Sequence, residues 1–490
     1  YEAIATDVIA RFHRLAGEDV YFLTGTDDHG QKMFQTARDK NMTPLELADQ
    51  LTPRFREMVA AFKCSNNDFI RTSEDRHYKA VAAIWQRMEE NGDIYKDSYA
   101  GWYSVRDEAF YTEAELISDE AGNKTAPSGT EVEWVEEESY FFRLSAYQDK
   151  LLDYYQSHPD FISPTSRKNE IVSFVSGGLK DLSISRSSFS WGVPVPDDPE
   201  HVVYVWVDAL TNYLSALNYP DTSSNLYQSY WPADLHVIGK DILTPPHAVY
   251  WPIMLQASEL PLPKSILAHG WWTTSGEKMS KSTGETVDPL SLIDRYGTDA
   301  FRYFVIREMT VGQDAEFSLE RFESRYRADL GNDLGNLLSR LLHMVHSYEG
   351  GIVPTAEVNE SLEQGLQSQW EKSRDSMLEH FREFRFNLGL EETFSFIRSI
   401  NKYADDRTPW KLAKSDEPDA KKELRTCLAT MLEALRLASG AISPVMPQVH
   451  AQIHQRMNLE PTKLWKDELG WGSTLAGKKL QEKIILFPRE

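Results

Sequence analysis

Two lysines lie three residues apart in the glycine-bounded segment GEKMSKSTG, residues 276–284. Lys278 and Lys281 are each followed closely by a hydroxyl group, at Ser280 and Ser282, so the segment combines ammonium and hydroxyl groups. Such groups bind phosphate oxygens, and a loop of this composition is suited to clamp a polyphosphate. A solvated basic turn has the same composition, and most short basic loops are of that kind. The surrounding sequence must therefore decide between an anion clamp and a plain turn.

Apolar runs that end in polar residues recur along the chain. The runs are VYFLTG, HVVYVWV, ADLHVIG and SILAHG. Apolar runs that do not alternate with polar residues predict strands of a parallel sheet that is buried on both faces. Ligands bind at the carboxyl ends of such strands. The polar residues at or just after those ends are Asp27, Asp28, His29, Asp208, Lys240, Asp241 and His269.

The length and charge of the chain restrict its function class. Its 490 residues suggest about two to four domains. The net charge of −23 argues against a protein that coats nucleic acid non-specifically, although a local RNA contact stays open. Only Cys64 and Cys427 are present, too few for a disulfide framework or a multi-cysteine zinc site. Without a membrane-length apolar run or a signal peptide, we expect a cytoplasmic protein with no membrane contact, and an organellar matrix stays open.

The lysine segment follows the run SILAHGWWTT, and KMSKS in this position resembles the second signature of class I aminoacyl-tRNA synthetases. Together with GTDDHG, VYVWVDALTNY and HVIGKDI, it makes nearly the whole chain similar to the methionyl-tRNA synthetases. The first signature of that family, a His-x-Gly-His loop, is not in the sequence. The chain starts inside a helix, with Ile4, Val8 and Phe12 at helical spacing. We therefore expect it to be N-terminally incomplete, with that loop just upstream of Tyr1.

The resemblance implies an α/β fold. A Rossmann-type parallel-sheet catalytic domain is split by a small β-rich insertion and followed by an α-helical anticodon-binding domain. The expected boundaries are 1–96 for the first half of the catalytic domain, 97–185 for the insertion, 186–285 for the second half with the KMSKS loop, 286–340 for a stem-contact region and 341–490 for the anticodon-binding domain.

The implied reaction is methionine–tRNA ligation. Methionine is activated with ATP and Mg²⁺ to methionyl-adenylate and is then transferred to the 3′ end of tRNA(Met). The attacking carboxylate is already ionised near neutral pH, so the activation step requires no general base. Catalysis then depends on alignment and on charge stabilisation, which ammonium groups and Mg²⁺ provide. By resemblance the main catalytic residue is Lys281, and Lys278 supports it.

The resemblance also assigns binding residues. For ATP they are Gly239, Asp241, Arg186, His269, Lys278, Ser280, Lys281 and Ser282. For methionine they are Asp27, Trp206, Ala209, Leu210, Tyr213, Ile242 and His247. Asp27 is expected to bind the substrate ammonium, and the others are expected to form a polarizable pocket for the thioether. The stretch KDILTPPHAVYWP is one residue longer than the usual family spacing before His247.

Some of these residues have structural alternatives. Asp27 is also suited to cap a helix or to bind a metal ion together with His29. Trp206 and Tyr213 flank a strand–helix turn, where aromatic residues are commonly part of the core. For Arg186, a surface ion pair is as well supported as a contact with the nucleotide phosphates.

The insertion lacks zinc ligands. Members of this family often carry zinc knuckles with paired cysteines there, but the corresponding positions are Ser104 and Asp107, and the stretch TAPSG holds no cysteine either. Zinc requires thiolate or imidazole donors at set spacing. We therefore expect a metal-free insertion, no zinc and no metal ligands in the protein.

We expect the C-terminal half to bind RNA and to recognise its bases. An apolar helical stripe is formed by Leu330, Leu334, Leu337, Leu341 and Val345. Asn336 and Arg340 are four residues apart on the opposite, solvent-facing side. Pro409 suits a helix start, which would leave Trp410 near an exposed end as a stacking platform for an unpaired base. By resemblance these four residues contact the anticodon. The alternatives are an ordinary solvent-exposed helix face for Asn336 and Arg340 and a buried core position for Trp410.

Two further hypotheses about the function are compatible with the sequence. Another class I synthetase, for Leu, Ile, Val or Cys, would share the signatures. The insertion is too small for the editing domains of the first three, and the cysteine enzyme would require a zinc site built on cysteines. The missing first signature motivates a catalytically silent tRNA-binding protein. The chain ends at KIILFPRE without a C-terminal dimerisation module, so a monomer is expected.

Overall fold

The structure is a computed structural model that describes residues 1–106, 109–118, 122–274, 277–278, 288–460, 464–472 and 475–488. The helices are α1 (Glu2–Ala16), α2 (Gln31–Asp39), α3 (Pro44–Ala61), α4 (Asp75–Glu90), α5 (Gln148–Ser157), α6 (Thr165–Ser176), α7 (Val205–Leu210), α8 (Asn212–Ser215), α9 (Asn225–Tyr230), α10 (Trp251–Ala257), α11 (Pro289–Tyr296), α12 (Thr298–Glu308), α13 (Leu319–Arg325), α14 (Asn336–Glu349), α15 (Ser361–Arg382), α16 (Phe386–Arg407), α17 (Pro409–Leu412), α18 (Pro418–Ile442), α19 (Pro447–Arg456) and α20 (Trp465–Glu468). Two π-helical segments, Leu243–Tyr250 and Tyr326–Gly335, lead directly into α10 and α14.

The strands are β1 (Leu23–Thr26), β2 (Asp68–Arg71), β3 (Ile94–Ser104), β4 (Ala109–Tyr111), β5 (Ile117–Ser118), β6 (Lys124–Thr125), β7 (Glu133–Phe142), β8 (Ile162–Ser163), β9 (Leu182–Ser183), β10 (Ser185–Arg186), β11 (Pro194–Val195), β12 (Asp198–Val203), β13 (His236–Gly239), β14 (Ile266–His269), β15 (Trp272–Thr274), β16 (Glu277–Lys278) and β17 (Ala315–Glu316). The chain forms two compact units. The sheet unit comprises Tyr21–Met58 and Asn66–His269, and the helical unit comprises Tyr1–Val20, Val59–Ser65 and Gly270–Glu490. The boundaries predicted from the sequence concern functional domains and stay predictions.

Parallel pairing in the sheet unit confirms the predicted fold class. Strand β1 pairs with β2, and β13 pairs with β14, which pairs in turn with β8, all in parallel. Helices α4, α7 and α10 form a core together with residues of β8, β13 and β14. The largest buried side chains of that core include Trp85, Phe142, Tyr155, Phe161 and Trp251.

One predicted parallel strand was assigned wrongly. The run HVVYVWV contributes to β12, which pairs antiparallel with both β10 and β11. Parallel neighbours require a crossover of about a dozen residues or more, whereas antiparallel neighbours need only a tight turn. The connection from β11 to β12 is such a turn, and Asp197 adopts a left-handed φ of 63° in it.

An antiparallel β-ribbon occupies the segment predicted as the β-rich insertion. Strand β3 pairs with the whole length of β7, from Ile94 opposite Phe142 to Tyr103 opposite Glu133. Strands β4 and β9 flank this pair. Short aromatic runs separated by acidic turns were the signal for these strands, and the signal was right.

The helical unit is joined internally by one buried arginine. Arg302 on α12 is fully buried and forms an ion pair with Asp7 of α1 at 2.7 Å. Its guanidinium also donates to the carbonyl oxygens of Phe62, Pro444 and Val445, at 2.9, 2.8 and 2.7 Å. Three stretches that are distant in sequence therefore meet at one side chain.

Two sequence predictions about helices are confirmed in the helical unit. Ile4, Val8 and Phe12 are buried on one face of α1, as their helical spacing predicted, and the helix ends at Gly17, which has a left-handed φ of 96°. The apolar stripe is buried at every position, namely Leu330, Leu334, Leu337, Leu341 and Val345. The first two of these lie in the π-helical segment rather than in α14. Among the described residues, none of the helices has the length and apolar character needed to cross a membrane.

Candidate active site

A buried carboxylate organises the loop that follows β1. Asp208 on α7 accepts a hydrogen bond from Nδ1 of His29 and another from Nε2 of His77, both at 2.6 Å. The side chains of all three residues are at most 1% exposed. The second nitrogen of His29 contacts the hydroxyl of Tyr78 at 3.1 Å, and that of His77 contacts Ser215 at 2.9 Å. The carboxylate thus joins the loop, α4 and α7.

The charges in this cluster stabilise one another. Burial alone would raise the pKa of Asp208, but the charge of His29 and the hydrogen bonds from both imidazoles lower the pKa below its usual value. Burial alone would lower the pKa of His29, and the charge and hydrogen bond of Asp208 outweigh it, so that pKa is raised. The two directions agree, and they favour a charged imidazolium–carboxylate pair.

Asp27 presents a carboxylate next to this cluster. The residue is exposed, and its Oδ1 accepts from the backbone N–H of His29 at 3.2 Å and from the hydroxyl of Thr72 at 3.3 Å. Both alternatives for Asp27 are wrong. Helix α2 has Gly30 as its N-cap residue, and both ring nitrogens of His29 are already engaged by Asp208 and Tyr78.

The aromatic residues predicted for methionine lie together. Nδ1 of His247 is 2.8 Å from the carbonyl oxygen of Ile242, which only accepts, so Nδ1 carries the proton. Nε2 of His247 therefore accepts the hydroxyl hydrogen of Tyr213 at 2.8 Å. The ring of Trp206 meets that of His247 edge-on, with 6.3 Å between centroids. Leu210 is buried on α7, and Ala209 beside it is partly exposed.

Tyr213 rests on a second layer of rings. It stacks on His236 of β13, with 3.9 Å between centroids, and His236 accepts a hydrogen bond from the indole of Trp251 at 3.2 Å. Burial, with a smaller contribution from His247, lowers the pKa of His236 to about 3. The imidazole below Tyr213 is therefore neutral near pH 7. Trp206 and Tyr213 are both partly exposed, so neither is simply a core residue.

The stretch before His247 has an unusual backbone. The segment Leu243–Tyr250 is interrupted at Thr244, which leaves helical geometry at φ −114° and ψ 123°. This kinked segment brings His247 within hydrogen-bond distance of Tyr213. The extra residue expected from the family spacing stays a prediction.

Three residues predicted for ATP converge at the ends of two strands. Gly239 and His269 face each other in the parallel register of β13 and β14. A Cβ atom at position 239 would lie 2.6 Å from Oδ1 of Asp241 and 3.8 Å from Cε1 of His269. Only glycine leaves room for the Asp241 carboxylate to approach the backbone here.

Arg186 lies in a different environment from the one expected. Its side chain is buried, and the guanidinium lies over the rings of Tyr204 and Tyr103, at 4.5 and 5.4 Å from their centroids. It also donates to the carbonyl oxygen of Ser185 at 2.7 Å. The surface ion pair is therefore wrong, and the assignment to the nucleotide phosphates stays a prediction.

Several predicted residues lie outside the described part of the chain. They are Ser280, Lys281 and Ser282 of the lysine segment and Asp107 of the insertion. The backbone of Lys278 is described in β16, where it pairs with Thr273. Ser104 is buried and hydrogen bonded to Thr130 at 2.7 Å.

The predicted anticodon residues lie on the helical unit. Asn336 and Arg340 are both exposed on α14, as the apolar stripe implied. Pro409 is the first residue of α17, and Trp410 after it is partly exposed. The guanidinium carbon of Arg340 is 5.8 Å from the centroid of the Trp410 ring, within the range of a cation–π contact. Residues that are far apart in sequence thus form one surface with an aromatic face.

Neither His77 nor His236 was predicted from the sequence. His77 contacts Asp208 across 131 positions, so no local motif marks it. The available signal was a histidine on the apolar face of α4, together with Val81 and Ile84, where a buried polar partner is required. For His236, the signal was an imidazole inside an otherwise apolar strand.

The parallel strands β13 and β14 end at Gly239 and His269, and the same unit holds the aromatic cluster around Tyr213 and the carboxylate of Asp27. This α/β arrangement agrees with the fold that the resemblance to class I synthetases implied. The family described as tRNA synthetases class I (M) matches residues 1–342, and the chain belongs to this family.

Known proteins support the same family at high identity. A methionine–tRNA ligase of Brucella suis biovar 1 (strain 1330) is 52% identical over 448 residues, which cover 91% of this chain and 86% of the relative. One of Rickettsia bellii (strain RML369-C) is 47% identical and covers 100% of this chain and 95% of the relative. The solved structure of Mycobacterium tuberculosis methionyl-tRNA synthetase bound by methionyl-adenylate is similar at a TM-score of 0.96 and 44% identity, and the match covers 100% of this chain and 96% of that one.

Proposed function

We propose that the sheet unit selects methionine through the pocket around Tyr213 and His247. The chain is an ATP-dependent aminoacyl-tRNA ligase that activates methionine and charges tRNA with it. The observation that carries the residue assignment is the hydrogen-bond chain from Tyr213 through His247 to Ile242.

The pocket suits a thioether because its polar atoms bind one another. Tyr213 donates to Nε2 of His247, and Nδ1 of His247 donates to a backbone carbonyl. What remains for a ligand is aromatic and aliphatic surface from Trp206, Ala209 and Leu210. A thioether is soft and polarizable and is a weak hydrogen-bond acceptor, so such walls favour it over polar side chains. Asp27 provides the opposite charge for the substrate ammonium.

The chemistry is a displacement at phosphorus. A carboxylate oxygen of methionine forms a bond to the α-phosphorus of ATP, and the bond from that phosphorus to the pyrophosphate oxygen breaks. Gly239, Asp241 and His269 are assigned to the nucleotide, since the glycine permits a close approach to the backbone at the strand ends. By family resemblance, Arg186, Lys278, Ser280, Lys281 and Ser282 complete the ATP contacts. Lys281, supported by Lys278 and Mg²⁺, neutralises the charge that develops on the leaving pyrophosphate.

The transfer step uses the 3′ end of tRNA(Met), and the helical unit recognises the anticodon. The partly exposed ring of Trp410 beside the Arg340 guanidinium supports this assignment, because unpaired bases stack on such surfaces. Asn336 and Pro409 belong to the same group by resemblance. A cytoplasmic monomer that binds ATP with Mg²⁺ and holds no zinc in its insertion completes the proposal.

ATP–pyrophosphate exchange tests the specificity. The full-length protein should support exchange with methionine and much less with leucine, isoleucine, valine or cysteine. Tyr213→Phe removes the donor to His247 and leaves a buried acceptor without its partner, which costs about 1–3 kcal/mol. In the free enzyme, water can satisfy the bare Nε2 of His247, whereas a bound methionine side chain excludes that water, so the cost falls on binding. We therefore expect KM for methionine to rise by roughly 5- to 150-fold with little change in kcat.

Tyr154→Phe is the matched control. Tyr154 lies on α5 and also stacks on a histidine, His158, with 4.0 Å between ring centroids, but it belongs to no predicted site. This variant should keep the KM of the parent protein. An unchanged KM in Tyr213→Phe, or an equal rise in both variants, would contradict the pocket assignment.

A further inference from the structure

A cluster of three buried ligand-type side chains lies in the helical unit, apart from every residue assigned above. His450 and His454 are four residues apart on α19 and therefore share one face of that helix. Glu468 is the last residue of α20. One ligand atom from each of the three lies within 4.8 Å of the others, and all three residues are buried.

The backbone orients both imidazoles. Nδ1 of His450 lies 3.1 Å from the carbonyl oxygen of Ser439 and 3.0 Å from its hydroxyl. Nδ1 of His454 lies 3.4 Å from the carbonyl oxygen of Glu460. A carbonyl only accepts, so in both rings the proton sits on Nδ1 and the lone pair on Nε2. Metal-binding histidines commonly donate their other ring N–H to a carbonyl oxygen in this way, which fixes the tautomer and the orientation of the ring.

Both lone pairs point at one carboxylate. Nε2 of His454 is 2.9 Å from Oε1 of Glu468, and Nε2 of His450 is 3.7 Å from the same oxygen. The closer contact lacks hydrogen-bond geometry, since Nε2 of His454 makes no hydrogen bond within the described residues. Two electron-pair donors and a carboxylate oxygen therefore converge in a buried space, and a cation placed among them would relieve their repulsion.

Neighbouring residues position Glu468 through its backbone. Buried Arg436 donates to the carbonyl oxygens of Glu468 and Gly470, at 2.5 and 2.9 Å. The same guanidinium forms an ion pair with Glu433 at 2.8 Å. Gly440 on α18 leaves space for the Glu468 carboxyl group, because a Cβ atom at that position would lie 3.1 Å from it.

We propose that His450, His454 and Glu468 bind a divalent transition-metal ion, with Zn²⁺ as the preferred ion, as a structural site that joins α19 to α20. Zinc binds imidazole nitrogen and carboxylate oxygen at about 2.0–2.2 Å, which sets neighbouring ligand atoms of a tetrahedron about 3.3–3.5 Å apart. The observed separations of 2.9 and 3.7 Å lie on either side of that value. The second carboxylate oxygen or a water molecule would take the fourth position.

The expectation of no metal ligands rested on cysteines, and this site uses none. A His-x-x-x-His pair on a helix, followed by a glutamate, is a ligand set that zinc accepts. The signal was present at residues 450 and 454, but the third ligand is 14 positions further along and is recognisable only from the packing of α20 on α18 and α19.

The test is metal binding by the full chain with any affinity tag removed. Protein stripped with a chelator is titrated with Co²⁺, which reports tetrahedral coordination by its visible absorption, and then with Zn²⁺ in competition. We expect one ion per chain, displacement of Co²⁺ by Zn²⁺, and a higher melting temperature of the metal-bound form. Failure of the parent protein to take up either ion would overturn the proposal whatever the variants do.

Variants locate the ion. His454→Gln and Glu468→Gln each remove one ligand and should weaken binding by more than about 100-fold, which is the largest effect expected from losing a residue that only orients a ligand. His343→Gln changes an exposed histidine on α14 of the same unit and should bind as tightly as the parent. Far-UV circular dichroism identifies any variant that fails to fold, and the other ligand variant then decides. Retained binding in a folded ligand variant, or an equal loss in His343→Gln, contradicts the site. Methionine-dependent exchange is measured in parallel, and its outcome bears only on the proposed function.

Discussion

Replacing Asp208 by asparagine tests how the loop with Asp27 is held. The substitution keeps the shape of the side chain but removes the charge and one of the two acceptors. The amide oxygen can still accept from one imidazole, while the amide nitrogen meets the N–H of the other. Both original contacts are 2.6 Å long and fully buried, so no water compensates for the loss.

The expected cost follows from that burial. A buried ion pair that loses one partner costs about 3–5 kcal/mol. In a unit of this size, each kcal/mol lowers the melting temperature by about 2–4 °C, so we expect a decrease of roughly 6–20 °C. Asp234→Asn is the matched control. Its ion pair with Lys264 is also 2.6 Å long, but the side chains are 83% and 65% exposed. Exposed pairs contribute about 0–1 kcal/mol, so this variant should lose at most about 4 °C.

The pH dependence gives a second, independent readout. The raised pKa of His29 contributes stability that is complete below about pH 6.5 and is lost as the pH rises through the folded-state pKa. The lowered pKa of Asp208 contributes stability that is complete above about pH 4 and is lost as the pH falls through its folded-state value. The difference in stability between the parent and Asp208→Asn should therefore be greatest between about pH 4 and 6.5 and smaller on either side.

Thermal unfolding across this pH range, followed by circular dichroism, measures both effects. Exchange kinetics should show a raised KM for methionine, because Asp208 joins the loop bearing Asp27 to the helix bearing Trp206. The reasoning is refuted if Asp208→Asn loses no more stability than Asp234→Asn, or if the difference from the parent is the same at every pH.

Three further outcomes are expected. Lys281→Ala should lower the single-turnover rate of adenylate formation by about 100- to 1,000-fold and leave the Kd for methionine unchanged; loss of methionine binding at a normal rate would contradict this. Trp410→Ala should weaken tRNA aminoacylation by roughly ten- to over a hundred-fold and leave adenylate formation unchanged; a parallel fall of both half-reactions in a folded variant would contradict the anticodon assignment. Ser104→Ala should bind as much zinc as the parent in elemental analysis, because we expect the insertion to be metal-free, and a lower zinc content would show that the insertion takes part in binding.

The polar residues at the ends of the parallel strands were predictable because each follows its strand directly in the sequence. The apolar run HVIG followed by Lys240 and Asp241 already indicates a buried strand with polar residues after it. The glycine turn at 239 and the histidine at 269 then meet because parallel strands place their carboxyl ends at one edge. Periodicity and residue type were sufficient for this part of the site.

The connections across the sheet unit were not predictable in the same way. His77 is recognisable as a partner of Asp208 only after α4 and α7 have packed together. The direction of β12 depends on a tight turn at Asp197, and an apolar run carries no information about the direction of its neighbour. The kink at Thr244 before His247 depends on backbone geometry that no local sequence pattern indicates.

The contacts of Arg302 have a consequence for biosynthesis. The side chain joins Asp7 near the start of the chain to the carbonyl groups of Pro444 and Val445, so these contacts form only after about 440 residues have been made. At a synthesis rate of about 5–20 residues per second, helix α1 is made roughly 20–90 seconds before Pro444 and Val445. During that time the apolar face formed by Ile4, Val8 and Phe12 lacks the contacts it has in the finished unit. Slowing or truncating translation before residue 444 should therefore increase the binding of chaperones to the nascent segment that contains α1.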